Sequence, residues 1–581
     1  MATCISRRES RGDVALACLL AVVLAVAWSW RAWGDLSALQ LPDTDDVMRL
    51  QQVRDWLAGQ PFADLRQHRL GVGLAMHWSR LADLVPAALI EMLRPVFGRH
   101  GAEVAMVIIW PTLLFAAALA LVASIARALG GGTLARTALV VAAIAYPATT
   151  VFVPGRIDHH GLQVVLALAI VRALLGRSSV ASGGIVALCS VASLVIGLET
   201  TPFLIVAGVI LLLEWTRGED VRMRGYAVAL PLMLVAARGV FATWQWEYPG
   251  CDGFTDLAWR AAMIGAAVPV ALTLSTGRVR TPRARWLLAG LAGGIACVGL
   301  TRSARQCLSP YGDIDPLLAR LWLAHVGEAQ PLFAASATVA IGYAGVMVAG
   351  IAAATVMWAG THKRGWALLL GFQLAALLLT CAQLRGAYLG AILAAPALAA
   401  IIAAARSRGT LWLAGAWLAS AGMLYPLAAD AVTAAPSRKG HARTATAGCT
   451  TPAAFAALAK LPRGRVLSPV DLGAYLLAET PHDVVAAPYH RNNAGNSAAY
   501  RFFLGTPPWA QKIAGAWKVD YVVLCPDSFD ELGAAVTGDK SRMIAMLRSG
   551  HPPVWLRRVA IGRSEPMVFA LDRLSADASG R

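Results

Sequence analysis

Charged side chains are scarce in this sequence. Asp, Glu, Lys and Arg together make up 15% of 581 residues, while 57% are hydrophobic. A soluble chain of this length has no use for so much apolar surface, so the composition excludes a soluble globular protein and calls for a polytopic membrane protein. Acid is scarcer than base, 34 against 51, a formal charge of +17. In a soluble protein that excess would suggest nucleic acid. Here the chain lacks the ordered alternation of basic and aromatic residues that a nucleic-acid groove needs, and no nucleic-acid partner is expected. Nine cysteines are present, none in the close pairs of a structural zinc site. Phosphate-loop and dinucleotide glycine patterns, internal repeats and long low-complexity tracts are also missing.

What the chain does have is apolar runs, each measured against the roughly 20 residues that cross a bilayer. About thirteen spans are expected, at 13–31, 102–127, 133–151, 161–177, 182–198, 201–216, 224–241, 257–275, 285–302, 336–359, 365–382, 386–405 and 409–427. The run at 81–97 is ambiguous and fits a helix lying in the interface. The first span follows "RRESRGD" without a small-residue cleavage site, and is read as an uncleaved anchor.

Arginine distribution orients these spans. With the N-terminus inside, the inner loops and span ends hold Arg7, Arg8, Arg11, Arg127, Arg136, Arg177, Arg217, Arg222, Arg224, Arg278, Arg280, Arg283, Arg285, Lys363, Arg364, Arg406 and Arg408. That is the positive-inside pattern, and an odd span count puts the tail outside. Arg302 and Arg305 are the misfit, two outer arginines near a span end. The expected architecture is a polytopic α-helical membrane domain over 1–428, with outer loops, and an extracytoplasmic α/β domain over 429–581. The expected location is a multi-pass protein of a bacterial inner membrane. Strand-like "GRVLSPV", "HDVVAAP" and "VDYVVLCP" alternate in the tail with helix-like "NSAAYRFFLG" and "PPWAQKIAGAWK". This topology places Cys251, Cys307, Cys449 and Cys525 outside, where oxidation is possible; a Cys449–Cys525 bridge is expected.

Four polar groups fall on the expected outer side. Asp43, Asp45 and Asp46 in "PDTDD" either share a divalent cation, which relieves their repulsion, or supply the acidic first turn of a helix. Asp158, His159 and His160 in "GRIDHHG" sit between two apolar runs. Such groups are costly in lipid unless paired or wet, so they solvate a loop, hydrogen-bond or hold a metal. Glu328 in "HVGEAQP" is a solvated loop carboxylate or a member of a site. Arg385 in "LRGAYLGAILAAP" opens a span, where it either snorkels or meets an anion.

Taken in order, these stretches resemble the membrane catalytic subunit of oligosaccharyltransferases, within the GT-C class of lipid-linked sugar transferases. "DTDDVMR" resembles the family's D-P-Y-Y-H-M-R motif, with Asp43 at its Asp and Arg49 at its Arg. "DHH" supplies Asp158 and His160 in the D-x-H form of the second-loop motif. "HVGEAQP" places Glu328 at the acid of S-V-S-E-H-Q-P, and Arg385 with Tyr388 resembles the late arginine. In the tail, "SPVDLGAYL" matches W-W-D-Y-G at Asp471 and Gly473, but Pro469 and Val470 replace the two tryptophans and Leu472 the tyrosine.

The resemblance implies a metal-dependent glycosyltransferase that takes a sugar or oligosaccharide from a polyprenyl-phosphate or pyrophosphate donor. Asp43, Asp158 and His160 would hold a divalent ion, Mn or Mg, with Asp45, Asp46, His159 and Asp471 as secondary candidates. Arg385 would receive the leaving phosphate, and Glu328 would complete the metal shell or orient the acceptor. The acceptor would be a glycan, lipid or protein. Loss of the tryptophan pair removes an indole donor for a Ser/Thr hydroxyl, which favours an envelope glycan or lipid-linked saccharide over an Asn-x-Ser/Thr peptide. A transporter or flippase of lipid-linked sugars is the alternative, and a membrane scaffold the third reading.

Overall fold

The computed structural model describes residues 2–308, 311, 314–433, 448–560 and 566–572. The chain forms two compact units. One comprises Met1–Arg31, His77–Gly312 and Val326–Ala434, the other Ala32–Met76, Asp313–His325 and Ala435–Arg581.

The first unit is a multi-pass membrane domain. Among the described residues, nine helices are long and apolar enough to cross a membrane, from Ser10–Arg31 to Gly386–Ala405. The broken pair Thr410–Ser420 and Leu424–Ala431 makes ten if it counts as one span, although it bends by 92°. Gly132–Ala143, His160–Leu175 and Val180–Ile196 are shorter apolar helices. Every apolar run in the sequence thus becomes a helix, but length alone does not make each of them a crossing. Several helices start where a Ser or Thr side chain accepts from the first-turn backbone, at Ser79, Ser179, Thr255, Thr281 and Ser336.

The ambiguous run at 81–97 is helical. It joins Arg80–Gly130, which breaks at Gly98 with φ 68° and ψ 177°. Before the break, Ala82, Pro86, Ala87 and Ile90 are buried while Met92, Val96 and Phe97 are exposed, so apolar side chains cover both its packed and its outer face.

Packing grades from centre to edge. In Gly386–Ala405, 83% of the most apolar window is buried; in Pro282–Ser303 it is 11%. Helices Val180–Ile196 and Val221–Phe241 approach closely through a reciprocal glycine pair. A Cβ on Gly183 would lie 2.1 Å from the Arg222 carbonyl oxygen, and one on Gly225 2.1 Å from that of Val180. Small residues at such crossings let backbones meet where lipid provides no hydrophobic drive. At the C-terminal end of helix Thr201–Thr216, the buried Glu214 pairs with Arg222 and Arg364, and Arg222 also donates to Ser182 Oγ (3.0 Å) and the Gly176 carbonyl (2.6 Å). These arginines are therefore structural. Arg302 and Arg305 are exposed.

The second unit is α/β. Strands β1 (Arg66–Gln67) and β2 (Leu74–Ala75) form a small hairpin. The main sheet contains β3 (Arg465–Leu467), β4 (Asp483–Val484), β5 (Tyr521–Leu524), β6 (Leu556–Val559) and β7 (Met567–Leu571) in the order β4-β3-β5-β7-β6. β3 runs parallel to β4 and β5, and β7 antiparallel to β5 and β6. Residues 32–76 fold with this sheet: Leu70 bridges to Val484, and the Arg69 guanidinium donates to the carbonyls of Leu477, Thr480 and His482 at 2.5–3.2 Å. Residues 314–325 do likewise. Asp315 accepts from Ser497 Oγ at 2.8 Å, and Tyr500 donates to the Leu321 carbonyl at 3.2 Å. Cys449 is bonded to Cys525, the expected bridge, and Cys251 to Cys307.

Candidate active site

The site in the membrane unit starts where the chain leaves the short 3₁₀ segment Ala148–Phe152 and enters helix His160–Leu175. Asp158 is buried there between two imidazoles. One carboxylate oxygen meets His159 Nδ1 and the other His160 Nδ1, so a single carboxylate orients both rings. Their ligand atoms all lie within 4.8 Å of one another. Burial works against the Asp158 charge, but the two imidazoles outweigh it and hold its pKa well below the usual carboxylate range. Burial likewise opposes charge on His159, and Asp158 and Glu199 outweigh it and raise the imidazole.

Three further elements bring charge to the same place. Glu199 comes from the 3₁₀ turn Leu198–Thr200 ahead of helix Thr201–Thr216. Its Oε2 is 3.3 Å from His159 Nε2 and 3.7 Å from His160 Nε2. Glu328 comes from the turn Gly327–Ala329, with Oε2 3.7 Å from His160 Nε2. Arg385 comes from Leu384–Gly386, a turn tied down by the Leu384 N–H donating to the Gln330 carbonyl at 2.9 Å. Its guanidinium donates to Glu199 Oε1 at 2.5 Å and to Tyr311 at 2.7 Å, with Glu328 Oε1 at 3.8 Å. Tyr388, one turn on, donates to Glu328 Oε2 at 3.4 Å. Burial raises the pKa of Tyr311, and Glu199 and Glu328 add to that rise against Arg385, so it stays a neutral donor and acceptor.

The structure thus brings together Asp158, His159, His160, Glu328 and Arg385 from three separated stretches. It adds Glu199, which sequence reasoning missed. A signal existed: "GLETTPFLIV" opens an apolar run with a lone carboxylate, which needs a partner at a membrane edge.

Asp43, Asp45 and Asp46 belong to the second unit. Asp43 caps helix Thr44–Leu57, accepting from the Asp45 N–H at 3.1 Å, and Asp45 and Asp46 form its acidic first turn. The capping alternative accounts for this local geometry. Asp471, also in the second unit, precedes helix Leu472–Glu479 and accepts from the Trp322 indole. Gly473 is required by close approach, since a Cβ there would lie 1.9 Å from the Ala486 carbonyl oxygen.

The donor set fits a divalent metal. Two imidazoles and a carboxylate converge, and the buried His160 Nε2 has no hydrogen-bond partner. The two imidazoles suit Zn, while the Asp158 carboxylate suits Mn or Mg.

No protein-family model matches the chain, and no curated protein matches it by sequence. Solved structures do match by fold. The apo oligosaccharyltransferase of Archaeoglobus fulgidus superposes with a TM-score of 0.66 at 15% identity, covering 89% of this chain and 70% of that one. The oligosaccharyltransferase AglB of the same organism, in complex with an inhibitory peptide and a dolichol-phosphate, gives 0.67 at 14% identity, covering 98% and 75%. A complex of the A. fulgidus enzyme with Zn and sulfate gives 0.62 at 13% identity, covering 97% and 73%. The chain has the oligosaccharyltransferase-like GT-C fold.

Proposed function

We propose that this membrane protein is a glycosyltransferase that moves a sugar or oligosaccharide from a polyprenyl-phosphate-type carrier to an envelope acceptor at the outer face of the membrane. The observation that carries this reading is Arg385, held between Glu199 and Tyr311 beside the Asp158–His159–His160 cluster. Fold likeness alone does not establish activity. A preorganised guanidinium beside a metal-competent cluster is the chemistry that loss of a phosphate needs.

The acceptor oxygen or nitrogen attacks the anomeric carbon of the sugar. The bond from that carbon to the carrier phosphate breaks, and the electron pair leaves with the phosphate. Arg385 meets the charge that develops on the departing oxygen, as a charge-assisted donor. Glu328, within reach of Arg385 and bonded to Tyr388, orients the acceptor and takes its proton. Asp158, with His159 and His160, would hold the metal. A divalent ion bound there supplies Lewis-acid neutralisation of the carrier phosphate.

One solved structure of like fold carries a dolichol-phosphate, and another a tethered acceptor peptide with an NVT sequon. A lipid-linked donor accords with the first. For the acceptor, Val470 is buried and the Trp322 indole is committed to Asp471, so neither offers a free donor to a sequon hydroxyl. That favours an envelope glycan or lipid-linked saccharide. The test is a deletion strain profiled for envelope glycans and lipid carriers. One glycan linkage should vanish and its lipid-linked donor accumulate; unchanged profiles would contradict the reading.

A further inference from the structure

Beside Arg385 lies a cavity of ≈ 30 Å³, with Gln163, Thr200, Phe203, Leu379 and Leu389 among its walls. Four buried polar atoms around it have no hydrogen-bond partner: His160 Nε2, Gln163 Nε2, Thr200 Oγ1 and Arg385 Nε. Gln163 is 4% exposed and Thr200 7%. A buried polar group left unpaired is costly, so this wall is built to be completed by a ligand. The Arg385 and Gln163 atoms are donors and the Thr200 hydroxyl can donate, which points to an oxyanion. Phe203, Leu379 and Leu389 offer hydrocarbon. An alkyl phosphate answers both surfaces.

Glu199 limits how much anionic charge the site accepts. It occupies one arm of the Arg385 guanidinium at 2.5 Å, and Glu328 stands 3.8 Å from the other. We propose that Glu199 sets this site for a carrier bearing one phosphate and disfavours one bearing a pyrophosphate. The inference rests on the transferase reading above and narrows its donor. A single phosphate takes the free Arg385 Nε and the Gln163 and Thr200 groups. A second phosphate adds a further negative charge in the field of Glu199 and Glu328. At separations of roughly 6–8 Å and an effective dielectric near 20, one carboxylate facing one extra charge amounts to at least about tenfold in affinity.

The test measures binding of farnesyl phosphate and farnesyl pyrophosphate to the full-length detergent-purified protein by calorimetry, without added metal. The wild type should bind the monophosphate about tenfold more tightly. Glu199→Gln keeps the shape and removes the charge, and should bring the two affinities close to parity. The ratio is internal to each variant, so a partly misfolded preparation does not distort it. Arg385→Gln should weaken both ligands. Equal or tighter binding of the pyrophosphate by the wild type, or a ratio unchanged in Glu199→Gln, overturns the monophosphate assignment and leaves the transferase reading standing. Failure of the wild type to bind either ligand overturns both.

Discussion

Arg385 and Glu199 are 186 residues apart in the chain and 2.5 Å apart in space. The pair joins the turn before helix Ala387–Ala405 to the turn before helix Thr201–Thr216, and it fixes the guanidinium against the histidine cluster. Arg385→Gln should lower glycosyl transfer by about 10²–10³-fold, the usual cost of removing one preorganised donor to a developing charge. Arg385→Lys should recover little, because an ammonium cannot serve Glu199, Tyr311 and a phosphate in one plane. Single-turnover rates with the native donor check this; a rate within threefold of wild type in either variant would exclude Arg385 from the chemistry.

Metal affinity separates the histidines from mere hydrogen-bonding groups. His159→Ala and His160→Ala should each weaken Mn or Zn binding by at least tenfold, and Asp158→Asn should do the same, because it orients both rings. Metal content after equilibrium dialysis gives the answer. Unchanged binding in all three variants would move the metal elsewhere.

The motif stretches made Asp158, His160, Glu328 and Arg385 legible before any fold was known, because each carries a charge that an apolar neighbourhood must explain. Glu199 and Trp322 were not. Each stands alone in its stretch, and its partners, Arg385 and Asp471, are supplied by distant segments. The thirteen apolar runs gave the helices, but hydropathy cannot see a 92° bend between Ser420 and Leu424. The joining of residues 32–76 to the tail was equally hidden. It depends on a bridge between Leu70 and Val484, and long-range pairing leaves no local period to read.

Acid should loosen the second unit at Asp315. Its carboxylate accepts from the Leu317 N–H at 2.8 Å and Ser497 Oγ at 2.8 Å, with Arg501 at 3.3 Å, and these partners hold its pKa below the ordinary value. A depressed carboxylate pKa stabilises the fold above the unfolded value and loses that contribution as pH falls through the folded one. Asp315→Asn should therefore cost about 1–2 kcal/mol at pH 7. The difference from wild type should shrink as pH is lowered to about 3. Denaturant titrations at both pH values test this, and a pH-independent difference would contradict it.

Glu214 tests the buried pairing at the far end of helix Thr201–Thr216. Its side chain is fully buried against Arg222, itself 1% exposed. Glu214→Gln leaves that arginine buried without its counter-charge, at a cost of about 3–5 kcal/mol. Glu219→Gln, which removes a half-exposed partner of Arg364, should cost less than about 1 kcal/mol. Unfolding in detergent compares the two; equal effects would mean that the Glu214 network is solvated.

The most direct measurement is transfer by the purified protein. Lipid extract from a deletion strain supplies the accumulated donor, and envelope glycan supplies the acceptor. The wild type with Mn should move the sugar onto the glycan, with loss of the signal on chelation and in Asp158→Asn. Donor that stays intact with every metal offered, or transfer that persists undiminished in Asp158→Asn with chelator present, would contradict the account.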